Sequence, residues 1–364
     1  MKKAIRTPEE MPPRGGRVAE EAETLIPAAV RVGRRFRYGF INMKGEMVIS
    51  PKFDFADKFS DGLSLVLDRQ KYGYININGD YIVRPRFRAA DPFKCGFASV
   101  TVGKREGAID TSGKMRIKPK FYVVRKFSEG VAPAATGVDN WGFIDQDGNP
   151  ICDFRYEHTS PFGSGLARFQ LGGCAGFLDR RLRVKIKPTC QRFFQDEFTD
   201  GMLSFRENGK WGYLNAAGSV VVAPIFERVQ DFSEGLAWVR DEGKWGVLQC
   251  DGSFAVLPRL NIKCIGRNVP LLDDFENGYA AAKLLVRAGS RWGIMKPTGD
   301  FLIPPVLVTA FSFVGGLACI RSADIPREKG FSYVNTQGLV VFGPEKGRQF
   351  EPKTAEEALR EMKE

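Results

Sequence analysis

One short step constrains this chain more than any other feature: an aromatic residue, a glycine, two hydrophobic residues, then Asn or Asp. Tyr38-Gly39-Phe40-Ile41-Asn42, Tyr72-Gly73-Tyr74-Ile75-Asn76, Trp141-Gly142-Phe143-Ile144-Asp145 and Trp211-Gly212-Tyr213-Leu214-Asn215 are its clearest copies. Weaker copies begin at Glu106, Ala175, Trp245, Trp292 and Phe331, the last with Ser332 in place of glycine, and the period is about 34 residues. A period of that length marks a repeat array, whose units cover one another's apolar faces. The 364 residues therefore need not divide into two or three unrelated domains.

Each copy carries a turn signal. Glycine stands three residues after the Asn or Asp, as in Asn42 to Gly45, Asn76 to Gly79, Asp110 to Gly113, Asp145 to Gly148 and Asn215 to Gly218. A side chain that accepts from backbone amides, followed by a residue free to take positive φ, predicts a type I turn with a G1 bulge, and hence a hairpin. The returning strand is apolar and reaches a proline, as in Met47-Val48-Ile49-Ser50-Pro51 and Val220-Val221-Val222-Ala223-Pro224. Proline has no amide to donate, so the ladder is expected to stop there. A second signature follows, Phe-x-x-Gly before an alternating strand, at Phe59/Gly62, Phe93/Gly96, Phe127/Gly130, Phe162/Gly165, Phe198/Gly201, Phe232/Gly235, Phe275/Gly278 and Phe313/Gly316.

The predicted fold is all-β, a nine-copy array of three-stranded antiparallel meanders. The 40 glycines and 29 phenylalanines fit many tight turns alternating with aromatic anchors, and 43% hydrophobic residues exclude wholesale disorder. The unit is short and its copies numerous for a closed β-propeller, so an open superhelical stack is the expected arrangement. A short fourth strand in Phe53-Asp54-Phe55-Ala56 would favour the closed ring instead.

Two signatures recurring in fixed phase resemble those of the WG β-repeat proteins, named for the Trp-Gly step. The resemblance spans about residues 28–344. It departs at Glu106 and Ala175, in the tryptophan position, and at Ser332, in the glycine position, where tight packing is in question. What the resemblance implies is a bacterial, non-enzymatic binding or scaffold module.

Residues 1–27 read as a mobile N-terminal tail with a short helix over Val18–Ile26, residues 28–344 as the repeat array, and residues 345–364 as a C-terminal tail. Thr354-Ala355-Glu356-Glu357 has capping-box spacing and opens a helix over Ala355–Glu364, with Ala355, Ala358, Leu359 and Met362 on one stripe. That helix is expected to cover the last repeat. The start is charged, then broken by Pro, Glu and Gly where a signal peptide needs an apolar run, and no stretch approaches a membrane-spanning length. The seven cysteines form an odd set without a CxxC pair, which argues against a secreted disulfide framework. The expectation is a cytoplasmic protein with no membrane partner.

Little in the chain points to chemistry. His158 is the single histidine, so a multi-histidine metal site is impossible and a catalytic triad has one candidate base. Cys152 stands six residues before it, and the pair is the only hydrolase centre to weigh. A solvated loop histidine is the plainer reading. No zinc spacing and no phosphate loop occur, since the glycines follow the repeat period. Asp145-Gln146-Asp147-Gly148 lacks the remaining ligands of a calcium loop. No catalytic residue, metal or cofactor is expected.

Charge is polarised. Residues 1–190 hold 33 Lys and Arg against 21 Asp and Glu, a net +12, whereas residues 191–364 hold 21 against 22, a net −1. Around the strand-ending proline stand Lys52, Arg84, Arg86, Lys118, Lys120 and Lys187, with Arg116 and Lys185 three residues before it. Odd offsets share a strand face, so these side chains form a predicted cationic ladder for an anionic partner. In later copies the flanking positions hold Ala223, Ile225, Leu257, Arg259, Pro304 and Val306, and the ladder fades. An acidic protein segment is the expected partner and nucleic acid the alternative; a solvated face that guards edge strands would need no partner. The stretched connection 259–274, with Arg259, Lys263, Arg267 and Leu271-Leu272, is a second candidate contact.

Overall fold

The computed structural model describes residues 24–189, 193–260, 264–265, 269–270, 272–286, 289–311 and 313–361. Its architecture is all-β, built from small antiparallel sheets, with a C-terminal helix at Ala355–Glu361. No helix among the described residues is long and apolar enough to cross a membrane. The chain forms two compact units. One holds Phe53–Glu207 and Tyr213–Val220, the other Glu23–Lys52, Asn208–Gly212 and Val221–Glu364.

A representative sheet in the first unit runs Phe55–Ala56, Ser64–Asp68, Lys71–Ile75 and Tyr81–Phe87, hydrogen-bonded in that order. The expected three-stranded meander is thus extended by a fourth strand of two residues, at the place where the sequence allowed one. The same short strand recurs at Val123–Val124, His158–Thr159 and Arg228–Val229. Its pairing is completed by the Phe-x-x-Gly signature. Asp61 (φ 51°) and Gly62 (φ 79°) form a two-residue turn closed by reciprocal backbone bonds between Ser60 and Leu63. Positive φ at both central residues is the hairpin turn that matches strand twist.

The Asx turn forms as expected. Asn42 Oδ1 accepts from the amides of Lys44 (3.1 Å) and Glu46 (2.9 Å), and Gly45 takes φ 75°. Asn76, Asp110, Asp145 and Asn215 repeat this pattern.

Proline does not end the strand. In the third strand, Val83 opposes Tyr74 while Phe87 opposes Tyr72, so Arg84-Pro85-Arg86 arches over Gly73 as a bulge. Ladder bonds are interrupted there in any case, which is why a residue without an amide is tolerated. The same register shift places Lys118-Pro119-Lys120 across Gly107 and Leu257-Pro258-Arg259 across Gly246. The glycine of the aromatic–glycine step exists for this arch: a Cβ on Gly107 would lie 2.2 Å from the Ile117 carbonyl oxygen, and one on Gly246 would lie 2.5 Å from that of Val256.

Departures from the pattern are compensated. At the last copy Ser332 carries a Cβ, and the glycine has moved to the opposing chain, where a Cβ on Gly343 would meet the Phe331 carbonyl oxygen at 2.4 Å. Ser332 is buried and bonds to the buried Glu345. Glu106, in a tryptophan position, accepts from the Val124 amide at 2.8 Å. Ala175 is buried in the core.

The cores lie between successive sheets. In the first unit Leu65, Tyr74, Val83 and Phe87 of one copy pack with Phe93, Val100 and Ile109 of the next. In the second unit Trp245, Val256 and Leu260 pack with Phe275, Ala282 and Phe301. Hydroxyls stitch consecutive turns together: Ser60 donates to the Phe93 carbonyl, Ser128 to that of Phe162 and Ser233 to that of Phe275, at 2.6–2.7 Å. Each copy is thereby stabilised by the next within its unit.

The first copy meets the last. The strand Ile26–Val32 opens the array two residues before its expected start, and Ile26 is therefore extended rather than helical; residues 18–23 of the expected helix lie outside the described residues. Ile26, Ala28 and Ile41 share a core with Leu317, Tyr333 and Val341. Tyr333 Oη accepts from the Ala29 amide at 3.1 Å, and Gly45 abuts the Val341 carbonyl. Gly113 and Gly148 sit on Val83 and Ile117 of the preceding copy in the same way. Gly45 of the first copy thus has a neighbour of the same kind within the second unit.

The C-terminal helix opens on the expected capping box: Thr354 Oγ1 accepts from the Glu357 amide (3.2 Å) and the Thr354 amide donates to Glu357 Oε2 (2.9 Å). Ala358 is buried in the Trp245 core. Thr354→Ala is expected to cost about 1 kcal/mol of local stability. Faster hydrogen exchange at the amides of Ala355–Glu361, with the sheets unchanged, is the check.

Candidate functional site

The bulge controls where the predicted basic residues point. Along Met115–Phe121 the side chains alternate, Ile117 and Phe121 buried, Arg116, Lys118 and Lys120 exposed. Arg84 and Arg86 are exposed in the same way on Tyr81–Phe87, and Lys185 and Lys187 on Val184–Thr189. These seven belong to the first unit. Lys52 and Arg259 are exposed on the second; Lys263 and Arg267 lie outside the described residues. Arg116 approaches Asp110 at 3.8 Å. Arg86 stands over the Phe87 ring and Lys120 over the Phe121 ring, both at 5.0 Å. Among the described residues Arg84, Lys118, Lys185 and Lys187 have no carboxylate at ion-pair distance. In the second unit Ile225, Leu257 and Val306 occupy the equivalent exposed places.

The stretched connection is partly structural. Cys264–Ile265 pairs with Val269–Pro270, and Leu272, read from sequence as a contact residue, is buried and bridges to Ala282.

Cys152 and His158 have different surroundings. Cys152 Sγ accepts from the Phe143 amide at 3.4 Å, and burial pushes its thiol up, away from the thiolate. His158 packs against Trp141, ring centroids 5.0 Å apart, and burial lowers its pKa, keeping the imidazole neutral near pH 7. Cys174 is disulfide-bonded, while Cys95, Cys152 and Cys319 are free thiols.

Sequence reasoning missed a cavity of about 510 Å³ in the first unit. It is lined by the residues just before the phenylalanine of successive Phe-x-x-Gly signatures: Asp57-Lys58, Asp91, Arg125-Lys126, Ser160 and Asp196-Glu197, together with Lys94, His158 and Thr159. The short edge strands and the tight turns bring these positions together, because each copy is stitched to the next through its turn. Several charges are matched internally: Lys126 with Glu197 at 2.8 Å, and Asp196 with Arg168 at 3.2 Å. Burial raises the pKa of Asp91, and Arg125 works against that rise. Arg125 stands over the Trp141 ring at 5.6 Å. The signal for the site was a polar residue two positions before the phenylalanine: Asp57, Asp91, Arg125, Ser160 and Asp196.

Fold and geometry define an all-β repeat protein with exposed basic edge strands and a polar cavity in one unit. The WG containing repeat model matches residues 38–72, 72–105, 107–137, 141–173, 211–245 and 292–323, together more than half of the chain. The chain belongs to this family. No curated protein matches it. Among solved structures, that described as the crystal structure of the eukaryotic initiation factor shares 12% identity at a TM-score of 0.59, over 92% of this chain and 99% of that one. That likeness concerns the fold alone. Dihydro-heme d1 dehydrogenase NirN in complex with DHE (11% identity, TM-score 0.43, 79% and 74% covered) and Kluyveromyces lactis Hsv2 (10%, 0.40, 71% and 96%) resemble it more weakly.

Proposed function

We propose that this protein is a non-catalytic scaffold of nine WG-type copies that binds an acidic segment of a protein partner through the basic outer strands of its N-terminal half. The observation that carries the reading is the run of exposed cations at equivalent bulge positions, Arg84/Arg86, Lys118/Lys120 and Lys185/Lys187. Like charges recurring without acids to offset them oppose folding slightly, and an anionic partner reverses that cost. The rings under Arg86 and Lys120, Phe87 and Phe121, are buried and so closed to stacked bases, and Tyr122 is the exposed ring beside them. A cytoplasmic location is part of the proposal.

The test is capture of partners from host lysate, followed by affinity measurement with the purified partner. Arg84→Glu/Arg86→Glu/Lys118→Glu/Lys120→Glu is expected to weaken binding by about tenfold or more, with circular dichroism unchanged. Unaltered affinity would remove the basic strands from the interface. Preferential recovery of nucleic acid, with affinity falling steeply between low and moderate salt, would shift the assignment to the alternative partner.

A further inference from the structure

The cavity in the first unit has polar groups that the fold itself leaves unmatched. Thr159 is fully buried, and its Oγ1 has no hydrogen-bond partner among the described residues; the same is true of His158 Nδ1. Folded proteins satisfy nearly all such atoms, and exceptions mark places where water or a ligand completes the set. Charges are unmatched as well. Once Lys126 pairs with Glu197 and Asp196 with Arg168, among the described residues the exposed cations Lys94 and Arg125 retain no carboxylate at ion-pair distance and the Asp91 carboxylate has no hydrogen-bond donor. Phe93 and Pro161 supply apolar wall. A volume of about 510 Å³ suits a small molecule.

We propose that this cavity binds a small polyhydroxylated or polar molecule through an oxyanion, phosphate or carboxylate, seated against Arg125 and Lys94. Asp91 is placed to accept from hydroxyl or amine groups of the same molecule, and the Thr159 hydroxyl and His158 imidazole lie at the inner wall. Arg125 is preorganised for this by its position over Trp141, so its guanidinium is held without consuming a carboxylate. The site does not rest on the scaffold reading, since none of the outer-strand cations lines it.

Calorimetric titration of the full chain with ribose 5-phosphate, citrate and neutral ribose tests it. At least one of the two anions is expected to bind saturably, one molecule per chain, while ribose does not; which anion binds separates a phosphate from a carboxylate site. Arg125→Gln/Lys94→Gln, both exposed positions, should weaken that binding by at least about tenfold. Arg84→Gln/Lys118→Gln should change it by less than about twofold. Absence of saturable binding by both anions would overturn the proposal, as would equal loss in the two double variants, which would put the anion on the outer strands.

Discussion

Trp245→Ala is expected to destabilise the protein by about 3–5 kcal/mol, the range for truncating a buried aromatic side chain. Trp245 is 1% exposed and packs in a core with Trp238, Val256, Leu260 and Phe275. Its indole Nε1 has no hydrogen-bond partner among the described residues, so the loss is one of packing and not of a bond. Copies support one another through such cores, and the cavity left by the indole would lie between two sheets, where neither can collapse alone. Trp211, in the tryptophan position of one of the clearest sequence copies, is only half-buried. Trp211→Ala should accordingly cost under about 2 kcal/mol. Urea unfolding followed by circular dichroism measures both. Equal midpoints for Trp245→Ala and the wild type would show that the indole does not bridge the sheets.

That contrast illustrates what the chain reveals of its own fold. Turns were legible because they depend on residue types with few substitutes: Gly62 and Gly113 take positive φ, and Asn42 or Asp110 accepts the amides that the turn turns inward. How deeply each aromatic is buried depends on its neighbour, which local pattern does not carry. Proline was misread because a strand end and a bulge both free a position from donating; only the register, with Val83 and Phe87 both paired, separates them. A two-residue strand such as Phe55–Ala56 is too short for any alternation to register. The meeting of Gly45 with Val341 joins positions nearly a chain length apart and leaves no local trace.

The candidate surfaces divide along the same line. Exposure of Arg84, Arg86, Lys118 and Lys120 followed from strand alternation, which survives the bulge because Pro85 and Pro119 keep the flanking residues on one face. The cavity did not follow. Most of its residues sit one or two positions before a signature phenylalanine, in connections that sequence treats as spacers, and only the stitching of turn to turn gathers them. Leu272 shows the converse, an apolar residue in a long connection that serves the core rather than a partner.

Gly107→Ala is expected to cost about 3 kcal/mol or more, at or above the upper end for overpacking. The added methyl would stand 2.2 Å from the Ile117 carbonyl oxygen and 3.0 Å from both the Lys118 carbonyl carbon and the Pro119 nitrogen. All three are backbone atoms, so no side-chain rotation relieves the clash and the arch itself has to move. The last copy shows what relief requires: Ser332 keeps its Cβ only because the opposing residue is Gly343. Gly137→Ala is the control, meeting only the Asn140 side-chain nitrogen at 3.5 Å, and should stay within about 1 kcal/mol of wild type. Lys118 and Lys120 flank the proline of the displaced arch, so the same substitution in chain that remains folded should also weaken partner binding. If Gly107→Ala unfolds at the wild-type urea concentration, the bulge is not held down on the glycine, and the geometry that aims those lysines outward has another origin.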